Sequence, residues 1–143
     1  MYLTPRMNLA FIIVDDSELD CFIARKIIKQ KDESIKVDAY LDATVALSQI
    51  KGGVIHGKDE FNVILLDLQL PIMNGFEFME EFQKLPQSTQ EKYVVYVLSS
   101  TVNQSDISRV CSFSNVIRII SKPLTNVSFG SLISEMQSRK FSL

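Results

Sequence analysis

Three unbroken apolar runs and a fourth interrupted by one arginine, each followed by a carboxylate, a hydroxyl or a lysine, constrain this chain most. Leu9-Ala10-Phe11-Ile12-Ile13-Val14 runs into Asp15-Asp16, and Val63-Ile64-Leu65-Leu66 runs into Asp67. Tyr93 to Leu98 ends at Ser99-Ser100-Thr101, and Val116 to Ile120, with Arg118 inside it, makes a fifth strand that leads to Lys122-Pro123. An apolar run without alternation predicts a strand buried on both faces. Ile35 to Tyr40 alternates instead, which suits an edge strand.

Helical stripes separate these runs. Leu19, Phe22, Ile23 and Ile27 predict a helix over Glu18 to Gln30, with Ser17 as its N-cap. Ala43, Ala46, Leu47 and Ile50 mark a second after Asp42, stopped by Gly52-Gly53. Phe78, Met79, Phe82 and Leu85 mark a third, ending near Pro86. Ile107, Val110 and Cys111 fit a short fourth, and Phe129, Leu132, Ile133 and Met136 stripe a fifth. The tail Ser138 to Leu143 is expected to fray. Five strands alternating with five helices predict an α/β fold with a doubly wound, five-stranded parallel sheet of order 2-1-3-4-5 and helices on both faces, the flavodoxin-like arrangement.

The 143 residues suit one domain, 1–143, with a core over about 8–139. A net charge of −2 offers no basic field for nucleic acid or an anionic membrane. No apolar run reaches the roughly 20 residues of a membrane span, so cytoplasmic residence is expected. Cys21 and Cys111 have neither metal-ligand nor disulfide spacing and read as small buried hydrophobes. His56, in a glycine-rich stretch, has no second imidazole or thiolate nearby to share a zinc ion.

The residues that interrupt the apolar pattern fall at corresponding strand ends. In an open parallel sheet, ligands bind at the carboxyl ends, where the strand order reverses. Asp15, Asp16 and Asp67 come from the two strands flanking that point. Two unit charges 4 Å apart repel by about 4 kcal/mol at an effective dielectric of about 20. A proton or a cation must relieve the cluster, and an all-oxygen donor set suits a hard cation such as Mg²⁺ or Mn²⁺. Lys122 supplies a compact positive charge for a phosphoryl oxygen or for Asp67. Ser99 supplies a hydroxyl donor, with Ser100 and Thr101 as competitors for that role. A carboxylate can act as a covalent nucleophile, which makes Asp67 a candidate phosphoryl acceptor.

Four segments together resemble the response-regulator receiver domain of two-component signalling. They are Val14-Asp15-Asp16, Leu66-Asp67-Leu68-Gln69-Leu70-Pro71-Ile72-Met73-Asn74-Gly75, Leu98-Ser99-Ser100 and Ser121-Lys122-Pro123. The resemblance spans about residues 8 to 139. It implies that Asp67 is phosphorylated. It implies that Asp16 ligates the metal directly, Asp15 through metal-bound water, and Gln69 through its backbone carbonyl. It implies that Ser99 is the hydroxyl switch, that Lys122 binds phosphate, and that the Lys122–Pro123 bond is cis. Gln69 and Thr101 flank the site as candidates for tuning the phosphoryl lifetime.

The implied phosphodonor is a histidine kinase or a histidine phosphotransfer protein, and the output is contact with a downstream protein of unknown identity rather than with nucleic acid or membrane. Relatives often carry Phe or Tyr three residues before the lysine; Ile119 stands there, so the usual coupling of hydroxyl and ring is altered. Asn74 stands where many relatives have Asp. Two rival readings use the same fold. One is an interaction module that is never phosphorylated, which the complete acid, hydroxyl and lysine set opposes. The other is a phosphatase or phosphotransferase with external substrates, which wants an acid where Gln69 stands. A nucleotide binder lacks its glycine-rich loop after the first strand.

Overall fold

A computed structural model of the chain describes residues 8–53, 61–100 and 103–141. Five strands form one all-parallel sheet: β1 (Leu9–Val14), β2 (Lys36–Tyr40), β3 (Phe61–Asp67), β4 (Tyr93–Ser99) and β5 (Val116–Ser121). Their order is β2-β1-β3-β4-β5, with the edge strands β2 and β5 outermost. The helices are α1 (Glu18–Lys31), α2 (Ala43–Lys51), α3 (Gly75–Phe82), α4 (Gln87–Gln90), α5 (Gln104–Cys111) and α6 (Asn126–Phe141).

Alternate residues of each inner strand feed two cores. Ile12, Val14, Ile64, Leu66, Val95 and Val97 point to a layer shared with α2, α3 and α5. Phe11, Ile13, Val63, Leu65, Val94 and Tyr96 point to the other layer, shared with α1 and α6. The unbroken apolar runs are thus explained: each side chain meets a helix on one side or the other. Fully burying one such side chain contributes about 1.5–3 kcal/mol.

Local signals set the helix starts. The Ser17 hydroxyl accepts from the Asp20 backbone N–H at 3.1 Å, and Asp42 accepts from Thr44 N–H at 2.8 Å. Asn74 and Glu77 form a reciprocal capping box at the start of α3.

Three local expectations need correction. A sixth helix exists: α3 ends at Phe82 rather than near Pro86, and Pro86 is the N-cap of α4. Its Gln90 side chain is buried and donates to the carbonyls of Gln83 at 3.0 Å and Leu85 at 2.8 Å, capping the end of α3. Of the tail Ser138 to Leu143, the part through Phe141 is helical, because α6 continues to that residue; Arg139 and Lys140 are good helix formers, and residues 142–143 lie outside the described residues. Cys21 is buried but Cys111 is exposed, since α5 buries only Val110 and turns its neighbour to solvent. His56 lies outside the described residues.

Tyr96 ties β4 and β5 to α6. Its hydroxyl donates to Glu135 Oε1 at 2.9 Å, and the same oxygen accepts from Arg118 Nε at 2.9 Å. Burial, reinforced by the bond to Glu135, holds the Tyr96 hydroxyl well above the ordinary tyrosine range.

Candidate functional site at the carboxyl ends of the strands

The crevice is built from the ends of β1, β3, β4 and β5. Asp15 follows β1 and is fixed there because its backbone N–H donates to Tyr40 O at 3.0 Å, at the end of β2. Its carboxylate accepts from Ser17 N–H at 2.9 Å. The next residue, Asp16, is exposed. Asp67 is the last residue of β3, buried, with Oδ1 accepting from Gln69 N–H at 3.1 Å. Carboxylate oxygens of Asp15, Asp16 and Asp67 all lie within 4.8 Å of one another, close enough to share one cation. The donors are all hard oxygens, so the set fits Mg²⁺ or Mn²⁺ and does not fit a soft-metal site.

Lys122 closes the crevice from the β5 side. Its backbone N–H donates to Ser99 O at 3.0 Å. The Lys122–Pro123 peptide bond is cis. Its ammonium reaches Asp15 Oδ2 at 2.7 Å, Asp20 Oδ2 at 3.1 Å and Asp67 Oδ2 at 3.1 Å. Burial alone would lower the Lys122 pKa, but the hydrogen bonds to Asp15, Asp20 and Asp67 outweigh it and hold the ammonium above the usual lysine range. The converse holds for Asp15. Burial raises its carboxyl above the ordinary value, and the bonds from Lys122 and Ser17 only partly offset that. A buried cluster of carboxylates is relieved by a proton or by a cation.

Ser99 ends β4, at the same edge of the sheet as Asp67, and is 1% exposed, whereas Ser100 is exposed. Gln69 is exposed beside Asp67. Thr101 lies outside the described residues. Ile119 is half-buried, pairs with Val97 across the β4–β5 ladder and packs into the core shared with α2, α3 and α5.

Asp20 is the member that reading the strand ends missed. It sits in the first turn of α1, where an acid has a sufficient reason in the helix dipole. The available signal was proximity: α1 opens directly out of Asp15-Asp16, so its first turn borders the same crevice. Cys21, next to it, donates its thiol to Asp15 O at 3.3 Å. Burial and the charges of Asp15 and Asp20 push that thiol up to about 11, so it stays protonated at neutral pH and is no nucleophile.

The loop after Asp67 has two special positions. Ile72 has φ +68° at the centre of a tight turn in which Met73 N–H donates to Pro71 O at 2.7 Å. A β-branched residue there is strained by roughly 1–2 kcal/mol, and its side chain is 84% exposed. Gly75 packs so closely on Asp67 and Leu68 that no Cβ fits without movement. A cavity of about 510 Å³, lined by Asn8, Phe61, Tyr93, Asn115 and Arg139 among others, lies at the opposite, amino ends of the strands. It is therefore remote from the aspartates at the carboxyl ends.

Residues 11–133 match the response regulator receiver domain. A response regulator receiver protein from Dyadobacter fermentans is 34% identical, with a TM-score of 0.76, covering 93% of this chain and 98% of that one. A two-component response regulator from Cytophaga hutchinsonii is 22% identical and shares the fold, with a TM-score of 0.79 over 91% of this chain and 97% of that one. Among curated proteins, a protein-glutamate methylesterase/protein-glutamine glutaminase from Thiobacillus denitrificans is 29% identical over 88% of this chain but only 33% of its own length. The aerobic respiration control sensor protein ArcB of Escherichia coli is 32% identical over 56% of this chain and 9% of its own length. The chain thus spans about a third or less of these curated relatives. With a match over most of its length and a receiver protein aligned from end to end, this chain belongs to the response regulator receiver domain family.

Proposed function

We propose that Asp67 accepts a phosphoryl group from the phosphohistidine of a histidine kinase or a histidine phosphotransfer protein, and that the modified chain changes its affinity for a protein partner. The observation that supports this most is the placement of the Asp67 carboxylate 3.1 Å from the Lys122 ammonium and within 4.8 Å of Asp15 and Asp16 oxygens. In the transfer, an Asp67 oxygen attacks phosphorus, the P–N bond breaks, and imidazole leaves with the electron pair. Catalysis of such a step is mainly positioning and charge neutralisation. Asp15, Asp16, Asp67 and the Gln69 backbone carbonyl would hold Mg²⁺ or Mn²⁺, which supplies charge neutralisation at the phosphoryl oxygens. Lys122 pairs with a phosphoryl oxygen, and the Ser99 hydroxyl donates to another. Gln69, exposed at the rim, and Thr101 are placed by sequence to affect access of the water that ends the signal. Gln69 has no carboxyl to act as a general acid, so turnover of external substrates is not expected.

The output face we assign is α5, β5 and α6. Of α5, only Val110 is buried, while Arg109 holds the helix to α3 by lying 4.2 Å over the Phe76 ring and 3.6 Å from Glu80. An element with so little buried surface is cheap to shift. Ile119, packed beside it, takes the place of a switch aromatic, so the shift is transmitted by aliphatic packing. A cytoplasmic, two-component setting follows from this role, and among the described residues no helix is long and apolar enough to cross a membrane.

The test is incubation with acetyl phosphate or phosphoramidate and Mg²⁺, followed by intact mass. The expected result is a metal-dependent gain of one phosphoryl group that is absent in Asp67→Asn. Lack of any adduct on the unmodified chain under all donors and metals would favour the phosphorylation-independent interaction module.

The donor protein has a suitable landing place. Leu19 and Phe22, on α1 beside the crevice, are 66% and 61% exposed, a costly way to leave large apolar side chains unless a partner covers them. Leu19→Glu with Phe22→Glu is expected to slow transfer from phosphorylated histidine phosphotransfer domains about 10-fold or more. Labelling by acetyl phosphate should be unchanged, and stability should move by only about 0.5 kcal/mol, as for other exposed positions. Equal slowing with both donor types would refute a docking role.

A further inference from the structure

Lys122 has a third carboxylate partner whose part in the site is not explained by metal binding. An ammonium has three N–H donors. Here its acceptors are Asp15 Oδ2 at 2.7 Å, Asp67 Oδ2 at 3.1 Å and Asp20 Oδ2 at 3.1 Å. Two of these acceptors also belong to the oxygen cluster that can hold a cation; Asp20 does not. Any cation at that cluster competes with Lys122 for Asp15 and Asp67. The phosphoryl group then consumes one Asp67 oxygen outright. Asp20 is the one partner of the ammonium left out of both events.

Position supports a steady role. Asp20 is held in the first turn of α1, where its own backbone N–H donates to Ser17 Oγ at 3.1 Å, and α1 is anchored in the core by Cys21, Ala24 and Ile28. The lysine stem, by contrast, has four flexible carbons and loses its orientation once its acceptors leave. A fixed acceptor on a packed helix is the arrangement that orients such a group.

We propose that Asp20 is a positioning residue: it retains one N–H of Lys122 throughout the phosphorylation of Asp67, so that the other two N–H groups point at the incoming phosphoryl oxygens. This rests on the reading of Asp67 as the acceptor. The opposite possibility, that the Asp20 charge mainly repels the phosphoryl group, predicts faster labelling when the charge is removed.

The experiment compares the unmodified chain with Asp20→Ala and Asp20→Asn, using phosphoramidate at saturating Mg²⁺ and intact mass. Asparagine keeps an acceptor oxygen and loses the charge. A hydrogen bond to a charged group is worth enough to make Asp20→Ala about 10-fold slower or more, with Asp20→Asn within about 3-fold of the unmodified chain. A second readout needs neither metal nor donor: the ¹⁵N-labelled Lys122 ammonium should lose its resolved, slowly exchanging NMR signal in Asp20→Ala and keep it in Asp20→Asn. Labelling of Asp20→Ala at or above the unmodified rate overturns the proposal, as does equal slowing of both variants. Failure of the unmodified chain to label removes the acceptor reading itself, whereas normal labelling of both the chain and Asp20→Ala removes only the role of Asp20.

Discussion

Lys122→Met is expected to lower the melting temperature by about 10 °C in metal-free buffer at neutral pH. The lysine side chain is 13% exposed and is the cation that faces Asp15, at 3% side-chain exposure, and Asp67, at 7%. Removing one side of a buried ion pair costs about 3–5 kcal/mol, because the other side is left charged and poorly solvated. For a domain of this size each kcal/mol moves the midpoint by roughly 2–4 °C. Asp20 is about a third exposed and adds little to the penalty, since water screens it.

The direction with pH follows from Asp15. Burial already lifts its folded value above the ordinary 3.8, and removal of the lysine lifts it further. A carboxyl that binds its proton more tightly in the folded than in the unfolded state adds stability as pH falls and loses it as pH rises through the folded value. Lys122→Met should therefore recover on mild acidification. It should also gain more from added Mg²⁺ than the unmodified chain does, because ligand-linked stabilisation is greatest where nothing else neutralises the cluster. Lys26→Met, at an exposed position of α1, is the control and should melt normally. An unchanged midpoint for Lys122→Met would mean that the aspartates are solvated rather than a buried cluster.

Most of this crevice is legible in the sequence because the strands are. A parallel sheet puts every strand's carboxyl end on one edge, so the polar residue that breaks each apolar run is carried to a common place. That logic brings Asp15, Asp67, Ser99 and Lys122 together without any knowledge of side-chain directions. It fails for Asp20, which lies inside a helix. Whether a first-turn acid faces a lysine about a hundred residues away depends on how α1 is rotated against β5, and the apolar stripe fixes that rotation only coarsely. Cys111 fails for the same reason: one residue's step around α5 separates it from buried Val110. The one-turn helix α4 was hidden because Pro86 reads as the stop of the helix before it, whereas α3 ends at Phe82 and Pro86 caps the start of α4. Gly75 reads as turn punctuation beside Asn74, and nothing in its neighbours reveals that its lack of a side chain matters more than its flexibility.

That last point carries the second large prediction. A Cβ on Gly75 would lie 2.8 Å from Asp67 O, 2.8 Å from Leu68 Cα and 2.8 Å from Leu68 Cδ2. Two of those three atoms are backbone, so no rotamer change makes room for it. The glycine is also the point where α3 is tied to the end of β3, through Gly75 N–H donating to Leu68 O at 3.0 Å. On the helix side the capping box of Asn74 and Glu77 resists movement. The strain of Gly75→Ala must then be taken up at the other side, by the Asp67–Leu68 peptide, which carries the carboxylate 3.1 Å from Lys122. Overpacking of this kind costs about 1–3 kcal/mol. An ångström of misplacement at a reacting group costs on the order of 100-fold in rate, so labelling by phosphoramidate should fall by about 10- to 100-fold while the far-ultraviolet circular dichroism is preserved. Gly130→Ala in α6 is the matched control: nothing lies within 4 Å of its added carbon, and alanine in a helix is favoured over glycine by about 1 kcal/mol. It should label normally and unfold at slightly higher urea. If Gly75→Ala labels and unfolds like the unmodified chain, the turn after β3 yields freely, and the placement of Asp67 does not depend on the contact between this glycine and the strand.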